Sequence, residues 1–434
     1  MSAEPKPNGL YERIVNAWCM YDWGSSAFST TVESAVLPVY FESVVAAGLA
    51  GNLATVYWGY TNALSLLIVA LLAPILGSIA DYTGGKKRFL TIFAVIGILA
   101  TALMVLIGAG NWQLALVLFL FGTLGLGGSY VFYDALLPHV ARSEDIDYVS
   151  SKGYALGYLG GGILLAVNIL MIQVLFKGST LGPQLSFLTV AIWWAIFTIP
   201  LLRRVPEPRA NTAGLGAGIN PMVAGFRRLA QTFRELRKYR QLFFFLLAFW
   251  LYNDGIGTII KMATIYGSEI GIGMIDLIGA LLLTQFVGIP FSLLFGKFSK
   301  PIGTKRAIML GLGWYTLIAI AGYFMSQAWH FWVLASMVGM VQGGTQALSR
   351  SLFSLMAPKA RSGEFFGFYD ISSKFAGIAG PALFAVVGQL FGSSRLSIVS
   401  LIIFFIGGIV LLSLVNEQEG IRMAEEENRA TALA

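Results

Sequence analysis

Long apolar runs recur from one end of the chain to the other, separated by short polar or basic segments. Twelve of them lie at approximately 15–41, 54–80, 89–109, 112–137, 153–176, 184–202, 241–267, 275–298, 306–326, 331–357, 372–392 and 396–415. Each approaches the ~20 residues that a helix needs to cross a bilayer core. The runs are continuous; a membrane barrel would show short segments alternating between apolar and polar. A backbone in lipid must satisfy its own hydrogen bonds, so these runs predict helices. The expected fold is an all-α membrane protein with twelve transmembrane helices, numbered here as spans 1–12.

Composition agrees with this pattern. The 434 residues are 56% hydrophobic and 12% charged, with a mean hydropathy of +0.74, far above that of a soluble domain. The several soluble domains that length alone would allow are therefore excluded. Cys19 is the only cysteine, which rules out an intrachain disulfide or a thiolate metal site. His139 and His330 are the only histidines, and both fall near predicted helix ends, so a histidine proton relay is not expected. No metal and no cofactor is expected either. The opening MSAEPKPNGLYER lacks a basic n-region and a cleavage site, so span 1 is expected to remain as an uncleaved anchor.

Charge then sets the topology. Of 29 Lys and Arg residues, 26 lie before span 1, after span 12, or in or beside the even-to-odd connections; the exceptions are Lys177, Lys261 and Arg395. Both termini are expected on the cytoplasmic side. The net charge of +7 is then a topology signal that meets anionic lipid, and nucleic acid is not expected as a partner.

The halves echo each other. GSIADYTGGKKRF (77–89) after span 2 resembles GKFSKPIGTKRAI (296–308) after span 8, with Gly77, Gly84 and Lys86 matching Gly296, Gly303 and Lys305. GGSYVFYDALLP (127–138) resembles GGTQALSRSLFSLMAP (343–358), and SSK opens both span 5 (150–152) and span 11 (372–374). An internal six-plus-six repeat places a site between two bundles, near the midplane. The expected organisation is a bundle over 1–202, a cytoplasmic linker over 203–240, a second bundle over 241–415 and a cytoplasmic tail over 416–434. The linker opens RRVPEPRANTAGLGAG. In its second part Met222, Phe226, Leu229, Phe233 and Leu236 recur at three- or four-residue spacing, with Arg227, Arg228, Arg234, Arg237 and Lys238 between them. That pattern predicts an amphipathic helix on the inner leaflet, a solvated basic linker being the alternative.

Gly77-x-x-x-Asp81-x-x-Gly84-x-Lys86-Lys87 resembles the loop signature of the major facilitator superfamily. YDWGSSAF (21–28), FYDALLP (132–138), SSKGYALGYLGGG (150–162) and WLYNDGIGTI (250–259) resemble the autophagy-related vacuole-effluxer branch and its bacterial relatives. The resemblance implies two pseudo-symmetric six-helix bundles around a cavity lined by spans 1, 4, 7 and 10. It implies secondary active transport of a small polar solute by alternating access, coupled to a proton or sodium gradient. Fungal members of that branch are associated with amino-acid export, so amino-acid efflux is one expectation. A monomer in a bacterial inner membrane is the expected setting. The chain departs from many proton-coupled members of the superfamily in having no arginine within span 4.

The ionisable residues deep in the spans are Asp22 and Glu33 (span 1), Asp134 (span 4), Asp254 and Lys261 (span 7) and Arg350 (span 10). All six fall on the four cavity helices. A charge at the bilayer centre costs at least ~2.5–3.5 kcal/mol, so this confinement points to a wet cavity. Asp22 and Glu33 are eleven residues apart, close to three α-helical turns, which puts both on one face. YDWG (21–24) and YNDG (252–255) each set a carboxylate beside glycine. Asp22, Ser25, Ser26, Asn253, Asp254 and Thr258, with Gln346 on span 10, are the candidates for substrate or coupling-ion contact. Asp134 and Arg350 each lie seven residues after the first glycine of a GG pair, so they are pseudo-symmetric positions of opposite charge. They are candidates for an inner gate, and Glu33 with Lys261 for an outer one; local pairing or snorkelling is the alternative. Asp81 ends span 2, where the helix dipole disfavours it, so it needs Lys86, Lys87, Arg88 or another helix's N-terminus. In line with the loop signature it resembles, this group is the candidate conformational latch, not a substrate ligand. Gly153, Gly157, Gly160, Gly161 and Gly162 follow no strand and suit close helix contact rather than a nucleotide. A receptor or assembly protein on the same fold, or a channel, stays open as an alternative. An enzyme is not expected, because no nucleophile–base pair, metal cluster or nucleotide loop is present.

Overall fold

The computed structural model describes residues 8–49, 53–210, 220–234, 238–375, 377 and 379–433. Helices account for the architecture, and no strand occurs among the described residues. Ten of these helices are long and apolar enough to cross a membrane; they begin with Val56–Thr83 and end with Ser394–Leu414. They coincide with spans 2–9, 11 and 12. The positions of spans 1 and 10 are helical too, at Asn8–Ala27 and Ala328–Met356, but fall outside the ten. Their polarity is the reason: span 1 carries Asp22 and Glu33, and span 10 carries Gln342, Gln346 and Arg350.

Span 1 does not stay α-helical. Beyond Ala27 it widens into a π-helical stretch, Phe28–Val36, followed by Leu37–Tyr40 and a second wide turn, Phe41–Val45. Such bulges commonly sit at functional positions. Glu33 lies inside the first. Span 11 comes in two pieces, Ser362–Phe375 and Ala379–Phe391.

The apolar faces bury into two cores. One is built from residues between Ile14 and Val205, the other from residues between Tyr239 and Val415 together with Ala135 of span 4. The repeat seen in the sequence reappears as repeated contacts. Lys87 Nζ donates to the Leu202 and Val205 carbonyls at 2.9 and 2.6 Å. Lys305 Nζ donates to the Ser413 and Val415 carbonyls at 3.0 and 2.7 Å. In each half a lysine at the start of the third helix caps the end of the sixth, offsetting its C-terminal dipole, but in the first half it is Lys87, one residue beyond the Lys86 that the sequence matched with Lys305. Likewise Tyr21 bonds Ser129 and Tyr252 bonds Ser349, both at 2.5 Å.

The linker helix, Pro221–Arg234, packs on span 2: Gly225 sits against Ile79 and accepts a 3.2 Å bond from Ser78 Oγ. Met222, Val223 and Phe226 are exposed apolar residues beside exposed Arg227, as a leaflet-facing surface requires. Leu236, Arg237 and residues 211–219 lie outside the described residues, as do the side chains of Arg228, Leu229 and Phe233.

The tail helix, Glu417–Leu433, folds back beneath the second half. Glu427 accepts from Lys238 Nζ at 2.5 Å and Tyr239 Oη at 2.7 Å, and lies 3.6 Å from Arg361. Burial pushes the Glu427 carboxyl up, but the bonds from Lys238 and Tyr239 and the nearby cations outweigh it and hold it below the ordinary glutamate value. A depressed carboxyl stabilises the fold above its unfolded pKa, and that stability is lost as pH falls through the folded value. Glu427→Gln should therefore lower stability by about 1–2 kcal/mol near neutrality and by little in acid. Melting temperature against pH checks this; parallel curves for the two proteins would contradict it.

Candidate functional site

Arg350 is the centre of the site. It lies on span 10 and is 1% exposed, yet its donors leave their own half of the molecule. Nη1 donates to Asp134 Oδ1 at 2.9 Å and lies 3.6 Å from Asp22 Oδ2. Nε donates to Ser150 Oγ and Nη2 to the Ser150 carbonyl, both at 2.9 Å. Tyr154, Trp18 and Tyr133 ring the guanidinium at 4.5, 5.0 and 5.6 Å to their centroids. One planar cation thus ties span 10 to spans 1, 4 and 5. Arginine suits this position because its fork serves two carboxylates and a carbonyl while its face stacks on rings.

Asp22 is 4% exposed and accepts from Tyr130 Oη at 2.9 Å and Tyr133 Oη at 2.8 Å. Both tyrosines are on span 4. Glu33, half-buried in the widened stretch Phe28–Val36, lies outside the α-helical register that would have aligned it with Asp22. Ser25 donates to the Tyr21 carbonyl at 2.8 Å and lies 3.2 Å from Tyr130 Oη. Ser26 lies against Gly157, where an added Cβ would come within 2.6 Å of its Oγ.

Asp22 and Asp254 do not share a site. Asp254 is buried and accepts from the Ala379 and Gly380 amides at 3.0 and 2.9 Å. It caps the second piece of span 11. Thr258 bonds back to the Asp254 carbonyl at 2.7 Å. The reason lies in register. Aligning the two tyrosines matches Asp22 with Asn253, and Asp254 with Trp23; one residue is a turn of about 100°. Asn253 and Gln346 are half-buried.

The two seams at the basic face are closed. Asp81 accepts from Lys86 Nζ at 2.5 Å and from the Gly363 and Glu364 amides at 3.0 and 2.8 Å. It therefore draws on both a lysine and another helix's N-terminus. Lys87 turns instead to span 6, and Arg88 is exposed. At the other seam Lys300, the counterpart of Asp81, reaches Asp145 at 3.5 Å, and Asp147 accepts from Thr304 at 2.6 Å and from Ser351. At the opposite face Glu33 and Lys261 form no ion pair, although each feels the other's charge. Lys261 is exposed, with its ammonium beside Gly377.

Several residues of this site were not singled out in the sequence. Ser150 and Lys374 sit in the SSK repeats, where they marked symmetry rather than chemistry. Lys374 pairs with Asp370 at 3.8 Å, and its stem lies across Gly127 of span 4. Tyr130 and Tyr133 precede Asp134 in the GGSYVFYD motif.

Residues 51–425 match the model of a family described as "Vacuole effluxer Atg22 like". The chain belongs to that family. It is 41% identical over 420 residues to the MFS-type transporter YxiO of Bacillus subtilis strain 168, covering 95% of this chain and 97% of that protein. Autophagy-related protein 22 of Coccidioides immitis strain RS is 23% identical, covering 85% of this chain and 73% of its own. The proton:xylose symporter XylE superposes with a TM-score of 0.74 at 15% identity, over 97% of this chain and 99% of that one. The likeness to XylE concerns the fold alone: this is the major facilitator fold, in a multi-pass membrane protein of a transporter family.

Proposed function

We infer that this protein is a secondary active transporter that moves zwitterionic solutes of the amino-acid class by alternating access. The bundles 1–202 and 241–415 rock about the linker 203–240, and a proton or sodium gradient drives the cycle. Both termini face the cytoplasm, which makes the present arrangement closed inward, in a bacterial inner membrane. Arg350 with Asp134 and Asp22 is the inner gate, and Glu33 with Lys261 closes the outer one in the alternate state. Two states of near-equal energy require such an exchange of pairs.

The observation that carries the substrate class is the set of opposite charges, drawn from both halves, that stand near one another above the inner gate without pairing with Glu33. Glu33 of span 1 faces Lys374 of span 11 and Lys261 of span 7 without an ion pair to either among the described residues. A carboxylate and two ammonium groups held apart suit a ligand that carries one charge of each sign. A solute with both charges neutralises both walls, whereas a sugar or a simple anion leaves one unmet.

Counterflow of radiolabelled amino acids into proteoliposomes tests this reading. The expected result is saturable exchange, with Lys374→Met and Glu33→Gln each lowering uptake at least about tenfold, the worth of ~1.4 kcal/mol of lost binding. Exchange of no amino acid, with a sugar or inorganic anion exchanged instead, overturns the substrate class. No exchange of any solute overturns transport.

A further inference from the structure

Three carboxylates and two cations meet on the buried path between the gate and span 11. Asp22 and Asp134 share Arg350. Asp370, on the first piece of span 11, faces Lys374 of its own helix. Its charge also reaches Asp134 of span 4, where it is the weakest of the influences on that carboxylate. Beyond Lys374 lie Glu33 of span 1 and Lys261 of span 7, an added pair of opposite sign. Asp81, Asp254 and Glu269, the remaining carboxylates on helices packed against this piece, and Glu364 at its own start are each committed: to Lys86 and two amides, to two amides, to Ser394 and to Arg361. The path therefore holds one negative charge too many.

The excess localises on Asp370. It is 8% exposed. Its Oδ1 is 3.8 Å from Lys374 Nζ, too long for a hydrogen bond. Its Oδ2 is buried and has no hydrogen-bond partner among the described residues. By contrast, Asp22 accepts from two tyrosines and Asp134 from arginine. A buried carboxylate oxygen with no donor is among the costliest groups a protein can hold. A proton on that oxygen removes both the orphaned acceptor and the excess charge.

We propose that Asp370 is the residue that binds the coupling proton. The proposal rests on the transporter reading and adds the ion and its site. The proton arrives from the face opposite the basic seams, binds Oδ2, and leaves on the basic side once the halves have rocked. Its effect on conformation follows from position. Asp370 sits on the helix whose N-terminus Asp81 holds across the seam. Neutralising Asp370 also removes a repulsion from Asp134, so Asp134 pairs more firmly with Arg350. The proton-bound form is thus the one closed at the basic face, and proton loss favours its opening. Sodium is the poorer fit, because a hard cation takes several oxygen ligands and no oxygen of another side chain is shown beside Asp370 among the described residues.

The test is infrared difference spectroscopy of full-length protein in lipid vesicles, cycled between mildly acidic and mildly alkaline buffer. Wild type should show a carboxylic-acid C=O band on acidification. That band should vanish in Asp370→Asn and remain in Glu42→Gln, which alters an exposed carboxylate. Asp370→Glu should retain a band at a shifted frequency, and it decides the matter should the asparagine variant not fold. A band unchanged in both Asp370 variants overturns the proposal. So does a sodium-induced difference spectrum with no protonation band. Should wild type transport nothing while the band still vanishes in Asp370→Asn, the transporter reading falls and the proton site stands.

Discussion

Gly77→Val is expected to open the basic face. A Cβ on Gly77 would sit 2.0 Å from the Gly363 carbonyl oxygen and 2.5 Å from its carbon. A Cβ on Gly363 would in turn meet the Gly77 carbonyl at 2.6 Å and Asp81 Oδ1 at 2.9 Å. Both obstacles to Gly77 are backbone, so no side chain can swing aside. Restoring ordinary contact at ~3.5–4.0 Å requires the helices of spans 2 and 11 to part by on the order of 1.5 Å. That separation breaks the amide bonds to Asp81, which are already 3.0 and 2.8 Å long. Packed interfaces switch between discrete arrangements rather than stretch. The expected outcome is therefore a change of state, with the open form dominant. Spin labels at the exposed Thr83 and Lys359 should report a longer, single distance in the variant. Gly296→Ala, at the matching seam, should do less, because its nearest obstacle is the Ser151 hydroxyl at 2.6 Å. A distance distribution identical to wild type in Gly77→Val would remove the glycine contact from any account of closure.

Which parts of this arrangement could be read from the chain alone follows from what each part depends on. The helices, their repeat and the confinement of charge depend on periodicity and solvent, and both are written along the sequence. The approach of Asp134 to Arg350 depends on a two-fold, which the GG pairs revealed. Asp81 had to find positive charge near a helix C-terminus, and Lys86 and the start of span 11 supply it. Other features depend on rotation within a fraction of a turn. YDWG and YNDG look alike as strings, but a one-residue offset sends Asp254 to the amides of span 11 and leaves Asp22 to Arg350. Lys86 and Lys87 are adjacent and identical, yet one faces Asp81 and the other caps span 6. The contacts of Arg350 with Ser150 and three rings depend on which helices cross, and no spacing within span 10 encodes that. The two spans least apolar by composition carry Asp22 and Arg350, which meet Asp134 of span 4. Hydropathy is weakest where these charges come together.

Arg350→Ala should have the largest effect of any single substitution on both stability and transport. Removing one partner of a buried ionic cluster costs about 3–5 kcal/mol, because the remaining charges lose their compensation. Here two carboxylates, Asp22 and Asp134, would be left buried together. The Ser150 hydroxyl and carbonyl would each lose a donor. Arg350→Lys keeps the charge but not the fork, since one ammonium cannot reach both carboxylates and both Ser150 groups while lying over Trp18 and Tyr154. It should fall between wild type and alanine. The shared cation also changes what a charge swap can do. Asp134→Arg with Arg350→Asp looks like a simple exchange across the two-fold, but the new carboxylate at 350 would lie beside Asp22. Rescue should therefore be partial, and adding Asp22→Asn to the swap should improve it. Thermal unfolding of purified variants, paired with counterflow in proteoliposomes, measures both effects. Full rescue by the double swap would mean that Asp22 takes no part in the gate; wild-type stability in Arg350→Ala would mean that the cluster is not what holds the halves together.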